Sequence, residues 1–291
     1  MFQIVPSLMA VALFCSGCFV KTRKVSGTSA TVTDTSSSSG TTFSNTYSLY
    51  FDGVDEHGWI TSFATVLGNT PTQFTISLWL KMDEDPANGK SPLGAQLTTN
   101  STYDTAFFVF NSATQFITLF NTALGGVSSA VMDSVTTGAA ADHKTWHHLV
   151  LVFEDGVGAE IRSYRDATVM ANIFDGGDQT LDFSRNGGSG HIEVGRYNNS
   201  DAQNMMGWID EVTMWDTALT AAEVTEIYNS GTPTDLSIDS GDYVSSANLA
   251  GWWRMGDSDL TWANTVTDET INNNSMTLVN METGDFQTDV P

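Results

Sequence analysis

Between Gly207 and Gly231 the chain reads GWIDEVTMWDTALTAAEVTEIYNSG, and a strand pattern meets a helix pattern there across a single turn. In Trp208 to Trp215 the residues Trp208, Asp210, Val212 and Met214 alternate with Ile209, Glu211, Thr213 and Trp215, the period-two signature of an extended strand. Strict alternation sends the adjacent Asp210 and Glu211 to opposite faces, which makes them poor partners for acid and base chemistry. Thr220 is placed as a helix N-cap, and Glu223 three residues on completes a capping box ahead of Val224, Ile227 and Tyr228. Gly231, with Pro233 just beyond it, stops that helix.

From Tyr47 onward the chain is a succession of short β-rich runs separated by Gly, Asn, Asp and Ser clusters, which argues for an all-β sandwich. Strands are expected at Tyr47–Phe51, Phe74–Met82, Ser91–Gln96, Ala106–Phe110, Gln115–Phe120, Trp146–Phe153, Glu160–Tyr164, Thr168–Ile173, His191–Val194, Trp208–Met214, Gly251–Met255 and Met276–Val279. Phe74, Ile76, Leu78 and Leu80 alternate with Thr75, Ser77, Trp79 and Lys81, the composition of a half-buried antiparallel strand. At 291 residues the chain has room for one large β domain plus appendages. A formal net charge of −23, without a basic stripe, speaks against nucleic acid and against an anionic membrane surface as partners.

The two cysteines, Cys15 and Cys18, lie in the first twenty residues, so the folded body has no disulfide and depends on its core. Ile4 to Val20 is an apolar run close to signal-peptide length, and toward its end the small residues Ser16 and Gly17 stand immediately before Cys18, which resembles a bacterial lipobox, where the cysteine is lipidated. Residues 1–24 are therefore expected to be a signal peptide or membrane anchor. Export to the cell surface as a lipoprotein tethered through Cys18, or otherwise secretion, follows from that reading, and contact with membrane is expected only through this anchor or lipid. Residues 25–45, rich in Ser and Thr, form a flexible linker. Residues 46–291 form the domain.

Five segments besides the opening one resemble laminin-G-like domains in the order those domains show them. YSLYFDG (Tyr47–Gly53) is similar to their first strand, FTISLWLK (Phe74–Lys81) to the second conserved strand, and WHHLVLVF (Trp146–Phe153) to their Trp-His-His strand. HIEVGR (His191–Arg196) and LAGWWRMGD (Leu249–Asp257) follow in place. The resemblance is to the concanavalin A-like lectin and glucanase group, which also contains the pentraxins. It implies an all-β, two-sheet antiparallel jelly-roll sandwich with one short α-helix. The turn after Asp52-Gly53 departs from the family pattern, since Asp55 is followed by Glu56, His57, Gly58 and Trp59.

Glycosidases on this fold carry Glu-x-Asp-x-Glu on one strand, which aims the carboxylates at one face, and the chain has no such run. His143 and His147 have zinc-like spacing for a helix but lie where the chain is extended, and His147 and His148 point oppositely from one strand. There is no Gly-x-Ser-x-Gly elbow and no Walker-type loop. By resemblance to pentraxins, calcium is the implied cofactor, at a single site formed by Asp104, Asn198, Asn199 and Asp201. Asp52, Asp55 and Glu56, and separately Asp175, Asp178 and Asp182, are further acidic clusters. For carbohydrate, an exposed aromatic beside amides or carboxylates is the expected contact, which selects Tyr103 and Tyr197 with Asn198. Trp59 and Trp262 are the tryptophans expected at the surface, whereas Trp79, Trp146, Trp215 and Trp253 are expected in the core. The function this implies is a non-catalytic module that binds a glycan or surface glycoprotein, with a structural or adhesive module of a virion or surface fibre as the alternative and a divergent glycoside hydrolase third.

Overall fold

The structure is a computed structural model, and it describes residues 43–84, 89–96, 105–112, 115–121, 131–134, 143–155, 160–170, 191–196, 201–258 and 264–291. The chain divides into the units Met1–Thr41 and Thr42–Pro291, and the described residues all belong to the second. Its strands are, in chain order, β1 (Ser48–Asp52), β2 (His57–Ile60), β3 (Gln73–Met82), β4 (Leu93–Gln96), β5 (Thr105–Ser112), β6 (Gln115–Asn121), β7 (Val131–Ser134) and β8 (His147–Glu154). They continue with β9 (Glu160–Arg165), β10 (Thr168–Val169), β11 (His191–Val194), β12 (Met206–Trp215), β13 (Leu249–Trp253), β14 (Thr265–Val266), β15 (Met276–Val279) and β16 (Phe286–Gln287). The helices are α1 (Phe63–Leu67) and α2 (Ala221–Tyr228).

Two antiparallel sheets result. The first runs β10-β9-β8-β3-β12-β1-β16 with β13 also paired to β12, and the second runs β14-β15-β2-β11-β4-β5-β6-β7. Leu49, Phe51, Phe74, Ile76, Leu78, Leu80, Ile192, Val194, Ile209 and Met276 are among the buried side chains of the core between them. The alternation read in Phe74–Lys81 is thus the inner face of β3. Its other face is buried as well: Thr75, Ser77 and Trp79 lie beneath a second, smaller cluster of Trp215, Val224, Ile227, Leu236, Tyr243 and Trp252. The expectation of a half-buried strand is corrected here, because α2 and the segment after it cover the first sheet from outside.

Thr220 caps α2 with its hydroxyl accepting from the Glu223 N–H (3.2 Å), while the Glu223 carboxylate accepts from the Thr220 N–H (2.9 Å). The helix ends on Asn229 in the left-handed region (φ 44°), two residues before the glycine that the sequence suggests as its stop. The fold has a second helix, α1, where one was expected. At five residues it is too short for a readable period, and its signal is local: the Ser62 hydroxyl accepts from the Thr65 N–H (3.3 Å).

Strand β12 departs from simple alternation. Asp210 pairs with Trp79 and Thr213 with Ser77, so three steps on β12 match two on β3, and Glu211 sits at φ 48°. This is a β-bulge. It falls where the opposite edge of β12 changes partner, from β1 (residues 206–209) to β13 (residues 212–215). The extra residue turns Val212 and Met214 inward with Ile209, and it leaves Asp210 and Glu211 together on the outer side. The expected opposite orientation of the two carboxylates is therefore overturned. Half-buried Trp146 is likewise no core residue, since its indole N–H donates to Asp289 (2.9 Å). Trp79, Trp215 and Trp253 are buried as expected.

Candidate functional site

On the outer face of the second sheet Trp59 stands 43 % exposed while its strand neighbours Gly58 and Ile60 face the core. The register Trp59↔Glu193 and Trp59↔Thr277 puts it between β11 and β15. His191 lies beside it with ring centroids 5.0 Å apart, and His57 is stacked on its other flank at 6.5 Å. Beneath the rings Glu193 is fully buried, and its Oε1 lies 3.2 Å from the Arg196 Nε and 3.4 Å from the His191 Nε2. An indole held between two imidazoles gives a firm apolar surface, and the ionic groups under its edge fix the donors and acceptors around it. Glu193, the carboxylate opposite Trp59, is engaged with Arg196.

The turn leading into β2 uses its acids internally. The Glu56 carboxylate accepts from the Asp52 N–H (2.5 Å), and the Asp52 carboxylate accepts from the Val54 N–H (2.8 Å). Burial pushes the Glu56 carboxyl up to about 7. The carboxylates of Asp52 and Glu56 thus close the turn, the Asp55 carbonyl accepts from the His57 Nδ1 (3.0 Å), and among the described residues no group of three or more His, Cys, Asp or Glu side chains is placed to hold a metal.

Asp210 and Glu211 are scaffold. The Asp210 carboxylate accepts from the Glu211 N–H (2.8 Å) and the Asn45 amide (2.9 Å). Glu211 accepts from the Trp252 indole (2.5 Å) and the Arg254 Nε (3.1 Å). Burial raises both carboxyls, Glu211 to about 7 against the pull of Arg254, and Asp210 well above its ordinary range with the neighbouring Glu211 charge adding to the burial. Arg254 also meets Asp257 (2.9 Å), donates to the Ser44 carbonyl (2.6 Å) and lies over the Phe43 ring (4.3 Å). One guanidinium therefore binds the start of the folded body to the bulge.

His147 and His148 do point oppositely. His148 is buried against Trp79 (4.8 Å) beneath Tyr228, and burial lowers its imidazole to about 4. His147 carries a hydrogen-bonded chain, with Nδ1 at 2.6 Å from Asp166 and Nε2 at 3.0 Å from Thr145 Oγ1. Arg165 reaches the same Nε2 at 3.0 Å, so the ring nitrogen is shared between two donors and serves as a bridge rather than a base for Thr145. Burial works to raise the Asp166 carboxyl, but His147, the His148 N–H and Arg165 outweigh it and hold it below the usual range.

Of the residues selected from sequence, Trp59 is the one whose surroundings are visible. Tyr103, Asp104, Tyr197, Asn198, Asn199, Trp262 and Cys18 lie outside the described residues, as do Asp175, Asp178 and Asp182. Asp201 opens a short 3-10 turn, Asp201–Gln203, and its side chain is outside the described part. The sequence reading missed His57, His191 and Glu193. Their signal is the alternation in HGWI and HIEV, but only the pairing of β2 with β11 shows that the two sets share a face.

The family model described as the concanavalin A-like lectin/glucanases superfamily, a laminin-G type, matches residues 56–225. No curated protein sequence matches the chain. Among solved structures, a candidate carbohydrate-binding protein from Bacteroides ovatus ATCC 8483 is similar with a TM-score of 0.57 at 16 % identity, covering 86 % of this chain and 62 % of its own. The chain thus spans less than two thirds of that protein. A heptameric SAP-like pentraxin from Limulus polyphemus gives a TM-score of 0.44 at 14 % identity, over 63 % of this chain and 82 % of its own. The CBM40 of a Ruminococcus gnavus IT-sialidase, bound to α2,3-sialyllactose, gives 0.48 at 13 % identity, over 62 % of this chain and 96 % of its own. With more than half its length matched and both sheets in place, the chain belongs to the concanavalin A-like lectin/glucanases superfamily.

Proposed function

We propose that the chain is a non-catalytic carbohydrate-binding module whose contact surface is the Trp59 face of the second sheet. The observation that carries this reading is the indole, exposed on an ordered strand between His57 and His191 and above a buried Glu193–Arg196 pair. Such a surface stacks on the C–H face of a sugar while fixed polar groups take its hydroxyls. Support comes also from the similar Bacteroides ovatus protein, which is named for carbohydrate binding. A glycan array with the full chain tests it, and Trp59→Ala is expected to weaken the positive signals by about tenfold or more with an unchanged circular dichroism spectrum. Equal binding by the variant would remove the face from consideration.

The finer parts of the reading are a surface glycoprotein as the natural carrier of the glycan, calcium at Asp104, Asn198, Asn199 and Asp201, and a tether through Cys18. Two carboxylates and two amides suit a weak oxygen-ligated site, short of the six to eight oxygens calcium takes. The array run in millimolar calcium and again in chelator reads that part. A mature N-terminus at Cys18 carrying acyl chains, seen by mass spectrometry of protein from cells, is the expected result for the tether; an intact Met1 without lipid would refute it.

A further inference from the structure

A cleft of about 670 Å³ opens at a different part of the domain, between the start of β13 and the loop from Asp268 to Asn274, with Thr65 and Val66 of α1 also lining it. That volume lies within the range of small-ligand sites. Most of its lining comes from residues after position 236, beyond the segment 56–225 that matches the family model.

The loop that forms one wall is built to keep its shape. Asp268, buried, accepts from the Trp252 N–H (3.1 Å), the Thr270 N–H (3.0 Å), the Thr270 hydroxyl (3.0 Å) and the Asn274 N–H (2.9 Å). The Asn272 amide donates to the Ala250 carbonyl (3.0 Å), which ties the loop to β13. On this fixed loop Ile271 is 93 % exposed, an isoleucine displayed at the rim of a polar cleft. A preorganised wall spends little ordering entropy on a ligand.

The chemistry of the lining selects the ligand. Asp216 accepts from the Asn248 amide (2.9 Å) and has further lone pairs to offer, and Glu269 and Thr270 stand opposite on the loop. Carboxylates, amides and hydroxyls side by side match the vicinal hydroxyls of a sugar, and Ile271 offers an apolar contact for its C–H face. Neither Lys, Arg nor His is among the described residues that line the cleft, and the chain carries a net charge of −23. An anionic sugar would meet two carboxylates without a compensating cation.

We propose that this cleft is a second saccharide-binding site, selective for uncharged oligosaccharides. It rests on the carbohydrate reading for its ligand class but not on the Trp59 face. The test is a titration of the full chain, with isoleucine methyl groups labelled for NMR, using maltohexaose, cellohexaose, xylohexaose and, as the anionic probe, sialyllactose. The Ile271 methyl signal is expected to shift with at least one neutral probe and not with sialyllactose. The shift is expected to persist in Trp59→Ala, whereas Ala247→Arg, at an exposed lining position, and Ile271→Ser are each expected to weaken neutral binding by about fivefold or more. Neutral binding that is lost in Trp59→Ala and untouched by Ala247→Arg would overturn the second site and leave the first standing. Binding of sialyllactose in the cleft would overturn the selectivity, and failure of every glycan on array and by titration would sink both sites.

Discussion

Gly207→Ala is expected to lower the melting temperature by roughly 10 °C, the consequence of about 4 kcal/mol in a body of this size. At φ 147° Gly207 occupies a backbone region that is essentially reserved for glycine, and holding an alanine there costs about 1–3 kcal/mol. A Cβ there would lie 2.3 Å from the Lys81 carbonyl oxygen and 2.8 Å from the Met82 Cα. Both are backbone atoms of the paired strand, so no rotamer relieves the clash, and the ladder joining β12 to β3 has to part locally. Gly284→Ala is the control, because nothing lies within 4 Å of the added methyl. Equal melting temperatures for the two variants would show that β12 can be placed without this close approach.

Arg254→Met is expected to cost about 3–5 kcal/mol at pH 8, the usual loss when one partner of a buried ion pair is removed. Glu211, Asp257, the Ser44 carbonyl and the Phe43 ring all lose their contact with the guanidinium. The cost should shrink by about half at pH 5, because a protonated Glu211 no longer needs a cation. The wild-type chain has its own pH dependence for a related reason. Glu56 and Glu211 have folded values of about 7, above their ordinary 4.5, so the stability they contribute is fully present below about pH 4.5 and is lost as pH rises through 7. Asp166, Glu223 and Asp289 are shifted downward, and their contribution is present above the ordinary carboxylate range and lost on further acidification. The melting temperature should therefore peak on the acid side of neutrality, near pH 5 to 6, and fall toward pH 8. A curve that rises steadily to pH 8, or an Arg254→Met deficit equal at both pH values, would contradict this account of the bulge. Adding Glu211→Gln to Arg254→Met should recover much of the loss at pH 8, since the uncompensated charge goes with it.

Much of the architecture was readable in order along the chain. Phe74 to Met82 and Trp146 to Phe153 announce their strands by composition and period, and Thr220 with Glu223 announces α2 by a capping box that the folded chain forms. Strand β2 was not readable, because His57-Gly58-Trp59-Ile60 follows an acidic turn and has a glycine at its centre, and its strand character comes from β11 and β15 on either side. The site shows the same division. Trp59 was recognisable as an aromatic in polar surroundings, but His191 and Glu193 stand more than a hundred residues away in sequence, and no local pattern links them to it.

The family resemblance, the class of fold and the capped helix are legible in the chain because they depend on residue spacing within single elements. Tertiary structure decided the orientation of Asp210 and Glu211, since a bulge at the place where β12 changes partner adds one residue and reverses the alternation beyond it. It also decided which residues share the exposed face of the second sheet, and that the loop after Asp268 stands as the wall of a cleft. Period counting assumes an unbroken ladder, and register between distant strands is fixed by packing of both sheets at once, which no window along the chain contains.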